Sequence, residues 1–381
     1  MTSRVIRVGF NGSVLTNPEI RGLTRYTTQL LRALSQRDDV AIFLFSPLEI
    51  HPAHLEGVRA TTFVFDAPRE TLWVDWALPR KVRELGIDVF HAPAERGIPF
   101  LKPCPLVLTV HNSYERTHWR EVYPRLKEKL WYWKFEAVNY TRADVIITVS
   151  DVTRNELIQW KIARTRQARR VYLAPAPEFH PRPSPLDADV VRKYKIDSPY
   201  ILYVGGYNAW KNTDALVQAF DAAQLPDHSI VIAARKQWDY EMLREQWSAL
   251  RCFPKMRLVE ALRDELPSLY RRADFFVNPS VWESFSFQVT EAMASGTPLL
   301  CSNRGAMPEI ARDAAQYFDP DKRAELVSWL QRFAADSQLK TQLRDKGFER
   351  VKAFSWEATA EQTVAIYRAL LDKQPNKSSR H

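Results

Sequence analysis

Short runs of apolar, largely β-branched residues alternate with longer stretches of helical period along most of this chain. Runs at Val5–Phe10, Ala41–Phe45, Thr62–Phe65, Val89–His91, Leu106–Val110 and Val145–Val149 predict strands. Between them, Leu23–Ser35, Trp73–Leu85 and Arg120–Asn139 carry apolar residues at helical spacing. Strands this continuously apolar are buried on both faces. With helices between them they predict a parallel sheet covered on both sides. Ser150, directly after Val145–Val149, is placed to cap the next helix.

The pattern then breaks. Ala174-Pro175-Ala176-Pro177-Glu178-Phe179-His180-Pro181-Arg182-Pro183-Ser184-Pro185 is dense in proline, which can neither continue a helix nor pair inside a sheet. A stiff linker is expected there. Beyond it the alternation restarts. Tyr200–Val204 is a strand ending in Gly205-Gly206, and Lys211–Ala223 is a helix. Ile230–Ala233, Met256–Val259, Phe275–Asn278 and Pro298–Cys301 read as strands, and Lys322 to Asp372 is almost wholly helical in period. The expected organisation is a first domain over 1–178, a proline-rich linker over 179–196 and a second domain over 197–356. Both are doubly wound α/β domains, which bind ligands beyond the carboxyl ends of their strands. In a two-domain version those ends face a shared cleft.

Composition narrows the class without changing the fold. The 381 residues are 45% hydrophobic and 26% charged, as in an ordinary globular protein. No apolar run reaches the roughly 18–20 residues of a membrane span. The first apolar stretch is short, broken by Arg7 and alternating, unlike a secretory signal, so a cytoplasmic protein is expected. Cys104, Cys252 and Cys301 are far apart and odd in number, which argues for reduced thiols rather than disulfides or a zinc site. The net charge of +9 is spread through the chain with no long Lys/Arg block. No nucleic-acid-binding module accompanies it, and no nucleic-acid partner is expected.

Candidate chemistry concentrates in Asn278–Pro298. A strand ends at Pro279-Ser280, a loop carries Glu283, and a helix begins near Phe287 with Glu291 in its second turn. The first amides of such a helix suit an anion such as phosphate. Glu291 is placed to accept hydrogen bonds from a ribose diol, and Glu283 to face a sugar.

This segment resembles the signature of the GT4 family of retaining glycosyltransferases: two glutamates separated by seven residues, then a helix reading E-A-M-A-x-G-x-P. Glu283, Glu291 and Glu291-Ala292-Met293-Ala294-Ser295-Gly296-Thr297-Pro298 match it. The resemblance implies a GT-B fold, two Rossmann-like domains, with the final helix (about 357–373) packing back onto the first. Tyr203-Val204-Gly205-Gly206 followed by Lys211-Asn212 resembles the family's donor loop, in which a lysine binds the pyrophosphate. A strand-end glycine pair also permits close backbone approach to phosphate. Arg235 and Lys236, after the next strand, are further candidate phosphate or base contacts. Leu266–Asp274, Ala306–Ile310 and Phe354-Ser355-Trp356 are similar to family text as well.

In the first half, the resemblance places Gly22, within Arg21–Tyr26, in a loop that approaches the donor phosphates. It also makes His111, at the end of Leu106–Val110, a contact to the transferred sugar. Three departures stand out. Ser284 and Ser286 replace the family's glycines around Phe285 and narrow the permitted backbone geometry. No arginine precedes Lys211, and Asn112 replaces the usual aspartate.

The resemblance implies transfer of a hexose, with retention, from a nucleotide-diphosphate sugar to a hydroxyl of a glycan or lipid-linked saccharide. Its Gly205-Gly206 and Lys211-Asn212 pattern is similar to mannosyl-type members, which points to GDP-mannose. Lys211, Glu283 and His111 are then the catalytic candidates. The donor contacts are Gly22, Gly205, Gly206, Lys211, Asn212, Arg235, Lys236, Ser284, Phe285, Ser286, Phe287 and Glu291. No metal or other cofactor is expected. Asp187-Ala188-Asp189 spells D-x-D but lies in the proline-rich stretch rather than after a strand, and is read as coincidence. Cations and aromatics mix over Trp119–Phe135, which suits either a core-packing helix with a charged outer face or a helix at an anionic membrane surface, the second giving peripheral contact at its inner face. Two other readings remain open: a nucleotide-sugar epimerase of the same fold, and a non-catalytic nucleotide-sugar-binding subunit.

Overall fold

The structure is a computed structural model that describes residues 4–19, 22–65, 73–95, 97–114, 125–132, 138–197, 199–234 and 240–373. It divides into two compact units, Met1–Leu173 with Ser355–His381, and Ala174–Phe354.

The first unit is built on seven strands: β1 (Ile6–Asn11), β2 (Val40–Ser46), β3 (Ala60–Val64), β4 (Val89–Ala92), β5 (Leu106–Val110), β6 (Val145–Thr148) and β7 (Ala168–Arg170). They pair in parallel in the order β3-β2-β1-β4-β5-β6-β7. The winding reverses between β1 and β4, which opens a crevice at their carboxyl ends. Phe45, Trp73, Phe90, Leu108 and Ile146 fill one side of the sheet and are fully buried. Each such side chain contributes roughly 1.5–3 kcal/mol of burial. The helix expected over Trp73–Leu85 is divided into a π-helical turn, Trp73–Ala77, and an α-helix, Leu78–Glu84. Pro79 explains the division: it lacks an N–H for the preceding turn but is tolerated in the first turn of a new helix.

The last helix, Trp356–Asp372, belongs to this unit although it is most distant in sequence. Ser355 caps it by accepting from the Ala358 amide at 3.1 Å. Its buried face carries Trp356, Ala360, Val364 and Tyr367 and packs on the helix Gly22–Ser35.

The second unit has six parallel strands: β8 (Tyr200–Val204), β9 (Ser229–Ala233), β10 (Met256–Val259), β11 (Phe275–Asn278), β12 (Leu299–Ser302) and β13 (Ala315–Phe318). Their order is β10-β9-β8-β11-β12-β13, with the reversal between β8 and β11. Phe220, Trp247, Phe275, Leu330 and Phe333 pack on one face.

Residues 179–196 do not form a free tether. They fold as part of the second unit and include the helix Leu186–Lys193. Its Asp187 receives a close ion pair from Arg271, Nη2 to Oδ1 at 2.6 Å, which holds the carboxyl below its usual range against the opposing effect of burial. Asp189 pairs with Arg192 at 3.0 Å. Both carboxylates of the D-x-D are therefore engaged by arginines.

Among the described residues, no helix is long and apolar enough to cross a membrane. Of the aromatic and cationic stretch at 119–135, only residues 125–132 are described, with a helix over Leu126–Tyr132. The rest lies outside the described residues.

Candidate active site

At the reversal point of the second sheet, two loops carry the predicted donor residues. The first follows β8. Gly205 has no room for a side chain: a Cβ there would lie 2.5 Å from the Tyr203 hydroxyl. That hydroxyl donates to the Gly206 carbonyl at 2.7 Å, and Thr213 Oγ1 donates to the same carbonyl at 3.0 Å. The glycine turn is thus pinned from below by its own strand and by the next helix.

Lys211 sits outside that helix. It ends a 3₁₀ turn, Ala209–Lys211, and Asn212 takes a left-handed conformation (φ 55°) before the helix Thr213–Ala223 begins. The helix expected from Lys211 therefore starts two residues later, and Asn212 forms the bend. Asn tolerates this region better than most residues because its side chain bonds locally. Here Asn212 Nδ2 donates to the Pro279 carbonyl at 3.3 Å. The amide of Val281 donates to the Trp210 carbonyl at 2.8 Å, a second tie between the two loops.

The second loop follows β11 and carries Glu283, which is 9% exposed. Its Oε1 accepts from Lys211 Nζ at 2.7 Å and from Ser280 Oγ at 2.8 Å. Gly305, in the loop after β12, presses against the Glu283 backbone. It has φ +57°, and a Cβ there would lie 2.6 Å from both the amide nitrogen and the carbonyl oxygen of Glu283. The Ala306 amide donates to that carbonyl at 2.8 Å. Three strand-end loops therefore fix one carboxylate. Gly305 was not among the residues singled out from sequence, and only its position next to a family-like segment pointed to it.

Ser286 occupies the position where the family has glycine, and its backbone is left-handed, φ 67°. Its side chain does not cap the helix Phe287–Ser295. Instead its hydroxyl accepts from Asn278 Nδ2 at 3.0 Å. Phe285 is a packing residue, with its ring against Phe287 at 5.7 Å and Phe354 at 5.9 Å between centroids. Glu291 lies in the second turn of the helix, as expected, but is 2% exposed, and its Oε2 accepts from the Tyr270 hydroxyl at 3.2 Å. Arg235 and Lys236 lie outside the described residues.

The remaining predicted residues belong to the first unit. Gly22 is the exposed first residue of the helix Gly22–Ser35 rather than a loop glycine, because the helix begins one residue earlier than its apolar spacing indicated. His111 follows β5. Its amide donates to Glu95 Oε1 at 2.6 Å, and Asn112's amide donates to the same oxygen at 3.0 Å. Glu95, from the loop after β4, is a residue the sequence reading missed. The His111 ring has Nε2 2.9 Å from the Pro93 carbonyl, which can only accept, so that nitrogen carries the proton. Tyr26 meets the ring edge-on at 4.6 Å.

Behind His111 runs a buried polar chain. Tyr26 Oη lies 2.9 Å from Thr109 Oγ1, Thr109 Oγ1 lies 2.7 Å from His91 Nε2, and His91 Nδ1 lies 2.6 Å from the Tyr367 hydroxyl. Burial pushes the His111 imidazole down to about 4, against the carbonyl that favours its charged form. Burial, with His111 nearby, pushes His91 down to about 3. Both rings are neutral at neutral pH.

The family described as Glycosyl transferases group 1 matches residues 189–350, and Glycosyltransferase Family 4 matches residues 20–172. Together they account for most of the chain. It belongs to the group 1, GT4-type glycosyltransferases.

Among relatives of this chain, O-antigen chain mannosyltransferase B of Escherichia coli is 29% identical over 241 residues, covering 60% of this chain and 61% of that protein. The MMP alpha-(1->4)-mannosyltransferase of Mycolicibacterium hassiacum is 39% identical over 108 residues, covering 27% of this chain and 26% of that protein. The chain thus spans about three fifths of the first relative's length and about a quarter of the second's. Sucrose-phosphate synthase from Thermosynechococcus elongatus superposes with a TM-score of 0.75 at 22% identity, covering 97% of this chain and 100% of that one. Anabaena HepE, solved in complex with UDP-glucose, gives 0.74 at 15% identity, covering 96% and 100%. At these identities the structural likeness shows the fold alone, and that fold is GT-B.

Proposed function

We propose that this glycosyltransferase moves a hexosyl group, with retention, from a nucleotide-diphosphate sugar to a hydroxyl of a glycan or lipid-linked saccharide. The observation that carries the reading is the Lys211–Glu283 pair at the reversal point of the second sheet. Beside it, the helix Phe287–Ser295 starts without a side-chain cap. A departing nucleoside diphosphate gains negative charge, and fixed positive groups aimed at that charge lower the barrier most. Lys211 and the first amides of this helix supply them. Gly22, at the start of a helix in the first unit, supplies an amide of the same kind. Glu283 orients the sugar once the pyrophosphate draws Lys211 away. Glu291 holds the ribose, with Tyr270 fixing one of its oxygens.

His111, neutral and with its Nε2 proton committed to Pro93, meets the sugar as a neutral hydrogen-bonding ring rather than as a cation. The acceptor hydroxyl attacks from the face the phosphate leaves, and the leaving phosphate takes its proton. No resident metal or cofactor enters this scheme. The Gly205-Gly206 and Lys211-Asn212 pattern, and the mannosyltransferases among the relatives, favour GDP-mannose as donor. A lipid-linked acceptor would place the enzyme at the periphery of a membrane.

A thermal-shift screen against nucleoside diphosphates and their sugars, followed by transfer assays with the stabilising donor and a glycan panel, tests the reading. A stabilising donor whose anomeric carbon appears in a product with its configuration kept is the expected result. No stabilisation by any nucleotide would sink it, as would donor turnover that needs no acceptor.

A further inference from the structure

The turn after β5 presents His111, and its backbone is held from a neighbouring loop. The His111 and Asn112 amides converge on one atom, Glu95 Oε1, at 2.6 and 3.0 Å. Further along the turn, the Tyr114 amide donates to Asn112 Oδ1 at 3.0 Å, and the buried Ser113 hydroxyl donates to Glu156. Adjacent amides in a turn form a small anion-binding concavity. Here a carboxylate of the same chain fills it. Asn112, standing where the family has aspartate, carries no charge, and Glu95 brings a carboxylate to that turn from the loop after β4.

Glu95 is anchored in its own backbone. Its carbonyl accepts from Asn139 Nδ2 at 2.9 Å, and Asn139, in the short helix Val138–Arg142, is buried. Two residues earlier, the Pro93 carbonyl takes the His111 Nε2 proton at 2.9 Å. The segment Pro93–Glu95 therefore grips one residue twice: a carbonyl fixes its ring and a carboxylate fixes its backbone. Water can satisfy amides in a half-buried turn. A charged acceptor shared between two of them makes shorter, stronger bonds and holds the turn in one shape.

We propose that Glu95 is a positioning residue for transfer, locking the turn after β5 so that the His111 ring meets the sugar in one orientation. Its effect on rate rests on the transferase reading, in which His111 contacts the sugar. A contact misplaced by about 1 Å can lower a rate on the order of 10²-fold. The loss of Glu95 is then felt through His111 in kcat and leaves nucleotide affinity in place.

Glu95→Ala should lower kcat on the order of 10²-fold, with the thermal shift given by nucleoside diphosphates unchanged. Glu95→Gln keeps an oxygen able to accept from the turn and should recover roughly tenfold of that loss. It carries the same readouts should the alanine variant fail to fold. Because the effect passes through His111, Glu95→Ala in a His111→Ala background should cost no further activity. Nitrogen-15 NMR of the histidine rings, with His111→Ala to assign the signal, gives a readout without turnover. Wild type should show the Nε2-protonated form of His111, and Glu95→Ala a mixture of tautomers. Additive losses in the double variant, or a His111 signal that Glu95→Ala leaves unchanged, would overturn the proposal. A wild type that transfers nothing would sink the transferase reading and leave the ring signal to decide this one.

Discussion

Lys211 Nζ stands 2.7 Å from Glu283 Oε1, and the pair joins the loops that follow β8 and β11. Both side chains are largely withdrawn from solvent, 18% and 11% exposed. Each satisfies the other's charge, with Ser280 adding a hydrogen bond to the same oxygen. On the proposed function a pyrophosphate would compete for the lysine, and donor binding would exchange one anionic partner for another.

Removing the lysine should therefore have two separable effects. Lys211→Ala is expected to lower the rate of transfer on the order of 10²-fold or more, as loss of a leaving-group cation does. It also leaves Glu283 without its cation in a part-buried loop, which costs on the order of 1–3 kcal/mol. Lys211→Arg keeps the charge and should restore most of the stability. Steady-state transfer kinetics and chemical denaturation on the same preparations measure both. Undiminished transfer by the alanine variant would remove Lys211 from the chemistry.

Most of this frame was legible in the sequence. Strands β5, β8 and β11 begin and end where their apolar runs do, because a strand buried on both faces must be apolar almost throughout. The two strands that escaped notice, β7 (Ala168–Arg170) and β13 (Ala315–Phe318), are the outermost of their sheets at one edge. Alanine-arginine-arginine and a four-residue run containing glutamine give no apolar signal. In the site, Glu283 and Lys211 were found because motif and spacing mark them. Glu95 and Gly305 were not, since what they do depends on contacts across 16 and 22 residues that no local pattern encodes.

Gly305 offers a direct test of how Glu283 is held. Alanine there meets the Glu283 backbone at 2.6 Å and must also adopt φ +57°. The left-handed backbone alone costs roughly 1–2 kcal/mol, and the contact with an unyielding backbone adds to it. Gly305→Ala should lower stability by about 2–4 kcal/mol, with transfer falling further than residual folding explains. Gly86→Ala is the control. It shares φ +57° but has nothing within 4 Å of its Cβ, so it should show the backbone cost alone.

Ser286 should tolerate the reverse exchange. Its φ of 67° suits glycine, the residue the family places there, while its hydroxyl holds Asn278. Ser286→Gly removes about 1–2 kcal/mol of backbone strain and loses the Asn278 hydrogen bond, worth about 1 kcal/mol, together with a longer one to Gln288 Oε1 at 3.3 Å. Glycine's freer unfolded chain takes back about as much again, so stability should stay within about 1 kcal/mol of wild type. Ser286→Val puts a β-branched residue at positive φ and should cost at least about 2 kcal/mol. Urea denaturation of the two variants ranks them. A valine variant as stable as the glycine one would show that the left-handed geometry does not hold in solution.

Acid should loosen the first unit through His91 and His111, whose protonation burial disfavours. Folding lowers His111 to about 4 and His91 to about 3, from an ordinary value near 6.5. Between those values the unfolded chain binds more protons than the folded one, so stability rises with pH across that range. The contribution is complete above about pH 6.5 and is lost as pH falls toward 4, on the order of 3 kcal/mol for each ring. His91→Gln should flatten part of that slope and lower stability at pH 7, because its Tyr367 and Thr109 partners are left buried. Denaturant midpoints of wild type and variant at half-unit steps from pH 7.5 to 4.5 give both slopes. Parallel curves would mean that the His91 proton plays no part in holding the last helix to the sheet.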